Sequence, residues 1–284
     1  MSGEAGAGSG LGRLQAALED LGNVVVAFSG GADSAFLAAV AHRVLGPDRA
    51  RCVTAVSPSL APDEEAHCRA LAAEWGLTWS TVETAEMDDP AYVANGPDRC
   101  ARCKDALMAV LGPVAVSQSA TVVLGVNTDD LGDHRPGQAA AAAAGARFPL
   151  VDAGLSKEDV RAASRHLGLR TWDRPAGACL ASRVPYGTPV TPPTLRSVAR
   201  AEAGLRALGF RDVRVRHHGT VARVEVGEAE LARALDVRES LVEAVKGAGY
   251  AYVALDLEGF RSGSLNRVLE ADPGPLARPG PAPA

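Results

Sequence analysis

The chain has 284 residues, of which 47% are hydrophobic and only 4% aromatic, and its formal net charge is −5. This length suits one large domain or two modest ones with a core of Ala, Val and Leu, and the acidic balance gives no general attraction for nucleic acid or an anionic membrane. No apolar run reaches membrane-spanning length, and residues 1–10 lack a secretory apolar core. We therefore expect a cytoplasmic enzyme that binds neither nucleic acid nor a membrane.

The first part of the chain alternates predicted strands with predicted helices. After a leader that we expect to be disordered, at 1–10, the strands are at 24–28, 52–57, 77–82 and 121–125, and the helices are at 11–21, 35–45, 62–75 and 100–111. A capping box of Ser156 and Asp159 opens a further helix, and a fifth strand is expected before Cys179. This alternation predicts an α/β domain over 11–188, a doubly wound parallel sheet with ligands at the carboxyl ends of its strands.

The pattern changes after about Tyr186. A predicted helix, a hairpin of alternating apolar and charged residues, a helical stretch and a last strand follow, at 194–208, 213–226, 228–248 and 250–257. This order predicts a smaller α+β domain over 189–271, whose hairpin buries one face. The Pro-, Gly- and Ala-rich residues 272–284 are expected to be a disordered tail.

A glycine-rich loop follows the first predicted strand and opens a helix. It reads Ser29-Gly30-Gly31-Ala32-Asp33-Ser34. Adjacent glycines let backbone N–H groups approach an anion, Ser29 and Ser34 add hydroxyl donors, and the helix N-terminus adds partial positive charge. No Gly-Lys-Ser/Thr follows, so this is not a Walker loop. The sequence predicts a phosphate-binding loop; the alternative is an ordinary βα turn with serine caps.

Three carboxylates follow the fourth predicted strand. They are Asp129, Asp130 and Asp133. Because we expect this strand beside the first one, the acidic loop should face the phosphate loop, where it could bind Mg²⁺ directly or through water. The alternative is a solvated acidic turn.

The five cysteines divide into two groups. Cys52 and Cys68 have apolar or helical neighbours and are predicted to be structural. Cys100 and Cys103 lie one helical turn apart, and Cys179 is distant in sequence. Three thiolates suit a zinc site with a fourth ligand, for which His134 is the nearest candidate, or a [4Fe–4S] cluster with one open iron; a dithiol redox pair at positions 100 and 103 is the third option.

Four motifs together resemble one family. They are Ser-Gly-Gly-Ala-Asp-Ser at 29–34, Arg-Cys-x-x-Cys-Lys at 99–104, Asn-x-Asp-Asp-Leu-Gly-Asp-x-Arg-Pro-Gly at 127–137, and Arg-Pro-Ala-x-Ala-Cys-Leu-Ala-Ser-Arg-x-Pro-Tyr-Gly-Thr at 174–188. In this order they resemble the LarE family, sulfur transferases of nickel-pincer nucleotide synthesis with a PP-loop, HUP-like ATP pyrophosphatase fold. The resemblance spans roughly residues 11–270.

The resemblance implies an activity. Enzymes of this family adenylate the carboxylates of pyridinium-3,5-biscarboxylic acid mononucleotide and exchange AMP for sulfur in two rounds. It implies that Asp33 helps to hold Mg²⁺ on the ATP phosphates. In one branch, the cysteine at the Cys179 position gives up its own sulfur; in the other, three cysteines hold a [4Fe–4S] cluster that carries sulfide. Because this chain has Cys100, Cys103 and Cys179, it resembles the cluster branch, and the family also implies a homo-oligomer, a hexamer.

Further residues are candidates for substrate binding. Arg183, beside Ser182, could hold a substrate carboxylate or phosphate. Arg214 and Arg216 share one face of the hairpin, and with Glu202 they could bind the mononucleotide phosphate; the alternative is that they face solvent.

Two other functions remain open. A PP-loop enzyme that thiolates tRNA with a three-cysteine cluster is the main alternative, although the acidic charge disfavours it. A non-catalytic nucleotide sensor is more distant.

Overall fold

The computed structural model describes residues 2–132, 136–174 and 177–261. The chain divides into two compact units, the first ending at Cys179 and the second beginning at Leu180. This division precedes the boundary expected at residue 188. The reason is the 3₁₀ turn Leu180–Arg183, in which Arg183 pairs with Glu202, a residue of the second unit.

The first unit contains a parallel sheet of four strands in the order β3-β2-β1-β4. The strands are β1 (Val24–Ala27), β2 (Ala50–Val56), β3 (Thr78–Glu83) and β4 (Thr121–Leu124). The helices are α1 (Ser2–Leu21), α2 (Ala32–Leu45), α3 (Pro62–Trp75), α4 (Pro90–Val93), α5 (Arg99–Ser117), α6 (Pro136–Ala143), α7 (Pro149–Asp152) and α8 (Lys157–His166). The α/β class and the position of β4 beside β1 are as the sequence predicts.

Helices cover both faces of the sheet because its central strand is apolar on both sides. Val24 and Val26 pack in a core with residues of α1, α2 and α8, whereas Val25 packs in a second core with residues of α5 and α6. Successive side chains of a strand point to opposite faces, so a run of three valines needs a layer of helices on each. The doubly wound arrangement is therefore confirmed.

Two features of the first unit differ from the prediction. Helix α1 begins at Ser2, so the backbone is helical where a leader was expected. Among the described residues, no fifth strand precedes Cys179; the nearest equivalent is a single parallel bridge between Val123 and Arg147. Cys179 instead follows the turns after α8, which have no strand-length run of β-branched residues.

The second unit is the predicted α+β arrangement. Its described elements are α9 (Pro192–Ala207), β5 (Val213–His218), β6 (Val221–Val226), α10 (Leu231–Asp236), α11 (Arg238–Gly247) and β7 (Tyr252–Leu255). Strands β5 and β6 are antiparallel, and β7 pairs parallel with β6. The predicted tail at 272–284 lies outside the described residues.

Strand β5 is buried on both faces, so the prediction of a hairpin with one exposed face was wrong for this strand. Val213 and Val215 lie in the apolar core, and Arg214 and Arg216 on the opposite face are only 9% and 5% exposed. The two arginines are covered because they interact with aromatic and acidic side chains of the same unit. The alternative that they face solvent is therefore excluded.

None of the helices in the described parts of the chain combines the length and the apolar character needed to cross a membrane.

Candidate functional site

The phosphate loop lies between β1 and α2, as predicted. Gly30 has a φ of +69°, a left-handed conformation that glycine adopts without strain. The Ser34 hydroxyl closes the loop, since it accepts a hydrogen bond from the Ser29 N–H at 3.3 Å and donates to the Gly31 carbonyl at 3.2 Å. The first turn of α2, which Gly31 caps, then presents backbone N–H groups that have no partner within the helix. This is the geometry of an anion site.

The end of β4 lies in close contact with this turn. A Cβ atom on Gly125 would lie 2.7 Å from the Ser34 backbone nitrogen, so only glycine allows the approach. Two residues later, the buried Asn127 donates from Nδ2 to Asp33 Oδ1 at 3.2 Å. The predicted meeting of the phosphate loop and the loop after β4 is therefore present.

Two carboxylates of these loops interact across the gap. Burial raises the pKa of Asp33, and the nearby charge of Asp130 raises it further, although the hydrogen bond from Asn127 and the charges of Lys157 and Arg161 oppose this. Like charges held together in this way attract a cation. Mg²⁺ commonly takes one or two protein carboxylates and completes its shell with water and phosphates, so Asp33 and Asp130 fit it in number and kind.

The other two aspartates of the acidic loop have different places. The Asp129 carboxylate accepts a hydrogen bond from the Lys157 backbone N–H at 3.0 Å, so it caps α8. Asp133 and the zinc candidate His134 lie outside the described residues.

The thiols of Cys100, Cys103 and Cys179 lie in one neighbourhood of the first unit. Burial raises the pKa of Cys103 to about 12, and Cys179, Glu86 and Cys100 raise it further, whereas Lys104 lowers it. Cys100 and Cys179 are exposed and Cys103 is half-buried. Within residues 2–132, 136–174 and 177–261, however, no three Cys, His, Asp or Glu side chains converge well enough to hold a metal ion.

A buried pair of residues holds the start of α5, which carries two of these thiols. Asn95 has a φ of +58°, a left-handed conformation that asparagine tolerates better than most residues. Its Oδ1 accepts a hydrogen bond from Arg99 Nη1 at 2.6 Å. Arg99 is the residue before Cys100, so this pair orients the first turn of the helix.

The other two cysteines are buried in the apolar core around α2 and α3, in agreement with a structural role. Burial raises the pKa of Cys52 to about 12 and that of Cys68 to about 11.

In the second unit, Glu202 is the centre of an arginine cluster. It is completely buried, and Arg183 binds both of its oxygens, from Nε at 2.8 Å and from Nη2 at 3.1 Å. Arg206 donates to Oε2 at 2.9 Å, and the Val215 N–H donates to Oε1 at 3.1 Å. Burial opposes ionisation of Glu202, but the charge and hydrogen bonds of Arg183 keep its pKa below the ordinary value.

Ser182 connects this cluster to β5. Its hydroxyl accepts a hydrogen bond from Arg183 Nη1 at 2.9 Å, and its carbonyl accepts one from Arg216 Nη1 at 2.9 Å. Arg216 also binds Glu225 through two hydrogen bonds of 2.9 and 2.7 Å. The sequence placed Ser182, Arg183, Glu202, Arg214 and Arg216 in the site, and the structure brings all five together.

Arg214 is buried among the other arginines of the cluster, and its pKa is lowered. Its guanidinium lies 4.8 Å from the centre of the Phe260 ring and donates to the Val213 carbonyl. Burial lowers its pKa to about 10, and the charges of Arg183, Arg206 and Arg216 lower it further while Glu202 opposes them. A buried group of arginines with this much mutual repulsion is suited to binding an anion.

A pyridinium-3,5-bisthiocarboxylic acid mononucleotide synthase of Lactiplantibacillus plantarum is 38% identical to this chain over 257 residues, which cover 90% of the chain and 93% of the relative. The chain belongs to the LarE family of this synthase. An uncharacterised protein of Synechocystis is 45% identical over 253 residues, covering 88% of the chain and 94% of the relative. An uncharacterised protein of Methanocaldococcus jannaschii is 24% identical over 240 residues, covering 84% and 91%.

The family model for NAD synthase matches residues 14–97, a segment that contains the phosphate loop. The LarE-like chain is thus an enzyme of the ATP pyrophosphatase type.

Sequence reasoning missed several polar residues of this LarE-like site. Lys157 and Arg161 of α8 influence Asp33, although α8 was noted only for its capping box. Glu86 is buried, accepts a hydrogen bond from Ser57 at 2.5 Å and acts on Cys103. Glu86 comes shortly after the end of β3, and Lys157 and Arg161 act on Asp33, which follows β1. Their position near the carboxyl ends of the strands was the signal that could have identified them.

Proposed function

We propose that this enzyme uses ATP to convert the carboxylates of pyridinium-3,5-biscarboxylic acid mononucleotide into thiocarboxylates, which gives the product named in its L. plantarum relative. The observation that carries the proposal is the phosphate loop, whose Asp33 lies near Asp130 of the loop after β4, in a chain that matches this relative over nearly its whole length.

The first step is adenylation. A substrate carboxylate oxygen attacks the α-phosphorus of ATP, a new P–O bond forms, and the bond to the bridging oxygen breaks, so that pyrophosphate leaves with the electron pair. The loop 29–34 holds the departing phosphates through backbone N–H and hydroxyl groups, and Asp33 and Asp130 position Mg²⁺ against them. The pKa of Asp33, which is raised in the free protein, then falls because the cation favours its charged form.

The second step replaces oxygen by sulfur. Hydrosulfide forms a C–S bond to the acyl carbon, the C–O bond to AMP breaks, and AMP leaves with the electron pair while the sulfur gives up its proton. Adenylation makes this possible because AMP is a far better leaving group than oxide. Two rounds give the bisthiocarboxylate.

The arginine cluster of the second unit binds the mononucleotide phosphate in this proposal. Arg214 and Arg216 supply charge-assisted hydrogen bonds, and the Ser182 hydroxyl adds a neutral donor. Glu202 and Glu225 act as positioning residues, since each holds an arginine through paired hydrogen bonds.

The cysteines carry the sulfur chemistry. Thiolates are the soft ligands that iron takes in such clusters, and Cys100, Cys103 and Cys179 lie in one neighbourhood. In this structure the three side chains do not converge as metal ligands do, so holding a [4Fe–4S] cluster would require them to move together. A cluster held by these thiols would supply the sulfide for the second step.

Pyrophosphate exchange tests the substrate. We expect incorporation of labelled pyrophosphate into ATP with the mononucleotide and none with bulk tRNA. Exchange with tRNA alone would instead support the thiolation of tRNA.

Metal analysis and mass spectrometry test the sulfur source. We expect anaerobically isolated protein to contain iron, and Cys100→Ser, Cys103→Ser and Cys179→Ser each to lose the iron and the activity, whereas the core variant Cys52→Ala retains both. Iron-free protein, or a mass loss at Cys179 that matches dehydroalanine after one turnover, would contradict the cluster.

A further inference from the structure

One face of α3 packs against the phosphate loop. His67 and Cys68 belong to the second turn of this helix, and a Cβ atom on Gly30 would lie 2.9 Å from His67 Cδ2 and 3.0 Å from Cys68 Sγ. The loop backbone therefore rests directly on these two side chains. Glu64 precedes them by three and four residues, which places it on the same face of the helix, one turn nearer the N-terminus.

The Glu64 carboxylate contacts the segment that leads to Cys179 at two points. Its Oε2 lies 2.7 Å from Arg174 Nη2, in an ion pair whose side chains are 25% and 26% exposed. A Cβ atom on Gly177 would lie 3.7 Å from Glu64 Oε1 and 3.8 Å from Oε2, so the same carboxylate borders the chain two residues before Cys179. One side chain of α3 thus touches this segment on both sides of residues 175 and 176.

A second ion pair fixes the direction of the segment. Arg170 Nε lies 2.7 Å from Glu74 Oε2, near the C-terminal end of α3, and four residues later the chain pairs with the first turn of the same helix. The two carboxylates are ten residues apart, which is about 15 Å along a helix. Because α3 begins shortly after β2, this direction leads to the carboxyl edge of the sheet. The ion pairs thus bring Cys179 to the edge where the phosphate loop lies, without the strand that the sequence predicted.

We propose that Glu64 is a positioning residue for Cys179, which it keeps at the carboxyl edge of the sheet beside the phosphate loop. The inference rests on the proposed function in one respect, namely that Cys179 takes part in sulfur transfer. Glu64 acts through the segment that it holds rather than on the reacting atoms. Because the same face of α3 supports Gly30, one rigid helix sets the distance between the thiol and a nucleotide on the loop. A misplacement of about 1 Å can lower a rate about a hundred-fold, so loss of Glu64 should slow sulfur transfer while adenylation continues.

Two rates measured on the same protein, with ATP, the mononucleotide and sulfide, test this inference. Exchange of labelled pyrophosphate into ATP reports adenylation, which does not need Cys179, and thiocarboxylate formation reports sulfur transfer. We expect Glu64→Gln to keep kcat and KM for exchange within about two-fold, and to lower kcat for thiocarboxylate formation about ten-fold with an unchanged KM for the mononucleotide. The matched control is Glu65→Gln, which removes an ion pair of 2.8 Å to Arg69 within the same helix and should change neither rate.

Charge reversal separates this contact from a general loss of stability. Glu64→Arg and Arg174→Glu should each slow sulfur transfer, and the double variant, which restores the pair in the opposite order, should recover most of the lost rate. Hydrogen exchange adds a measurement that needs no substrate. The amides of residues 177–179 should exchange about five-fold faster in Glu64→Gln than in wild type, and at the wild-type rate in Glu65→Gln.

The two proposals fail in different ways. Equal losses of both rates in Glu64→Gln, an unchanged rate of sulfur transfer, or wild-type hydrogen exchange at residues 177–179 would overturn the positioning role and leave the proposed function intact. A wild type that forms no thiocarboxylate would overturn the proposed function, whereas faster hydrogen exchange in Glu64→Gln would still support the position assigned to this residue.

Discussion

Replacing Glu202 by glutamine tests whether the Glu202 carboxylate stabilises the fold by pairing with buried arginines. The wild-type side chain accepts two hydrogen bonds from Arg183, one from Arg206 and one from the Val215 N–H, and none of its surface is exposed. Glutamine has the same shape, but it removes the charge and directs an NH₂ group at guanidinium donors. The Arg183 cation then stays buried without its counter-ion.

The structure sets the size of the effect. Removing one partner of a buried ion pair costs about 3–5 kcal/mol, whereas an exposed pair contributes about 0–1 kcal/mol. Arg183 is 4% exposed and Glu202 is 0% exposed, so the larger value applies to this pair. We expect Glu202→Gln to lower the free energy of unfolding of the second unit by at least about 3 kcal/mol at neutral pH.

The pH dependence follows from the sign of the pKa shift. The pKa of Glu202 is lower in the folded protein than in the unfolded chain, so its contribution is complete above the unfolded value of about 4.3 and is lost as the pH falls through the folded value. The difference between wild type and Glu202→Gln should therefore shrink in acid.

Urea denaturation followed by circular dichroism measures the effect, with the exposed Glu239→Gln as control. Glu239 is 89% exposed, and its replacement should change stability by less than about 0.5 kcal/mol. A loss below about 1 kcal/mol, or a variant more stable than wild type, would refute the reasoning. Either result would mean that the cost of burying the Arg183–Glu202 pair cancels the attraction between the two charges, so that Glu202 contributes no net stability.

Two further predictions concern the binding residues. Asp33→Asn should abolish pyrophosphate release yet stabilise the nucleotide-free protein. The reason is that the pKa of Asp33 is raised in the folded protein, so ionisation of this carboxyl lowers stability as the pH rises through that pKa. A loss of thermal stability at neutral pH would contradict this prediction. Arg214→Ala and Arg216→Ala should each weaken mononucleotide binding about ten- to a hundred-fold in titration calorimetry while ATP binding stays within about two-fold of wild type, and equal losses for both ligands would contradict the assignment.

The part of the site that could be predicted is the part encoded locally. Ser29 to Ser34 carry both the turn and its donors in six consecutive residues, and the position of Asn127 to Asp130 follows from one rule about parallel sheets. Cys179 shows the limit of that rule. The prediction that it lies near Cys103 agrees with the structure, but the fifth strand that was used to place it is absent from the described residues.

The burial of Arg214 and Arg216 could not be predicted from alternation alone. An alternating strand indicates that one face is apolar, and charged residues on the other face normally point to solvent. Here that face packs against Phe260, Glu225 and Glu202, which come from three different segments of the chain. This face is buried only because residues distant in sequence cover it. Such contacts leave no periodic pattern in the sequence of the strand itself.

In both units, burial and neighbours of like charge shift the pKa of a charged residue toward its neutral form, a carboxylate in the first unit and an arginine in the second. In the first unit, burial and the charge of Asp130 raise the pKa of Asp33; in the second, burial and neighbouring arginines lower the pKa of Arg214 to about 10. In the function proposed above, each unit holds like charges together at a cost that its ligand would relieve, Mg²⁺ with ATP at the carboxylates and the mononucleotide phosphate at the arginines. Because a ligand stabilises only the state that binds it, each should raise the unfolding temperature of its own unit. On this proposal, both clusters lower the stability of the free protein, and the energy regained when the ligand binds is available for positioning the reacting groups.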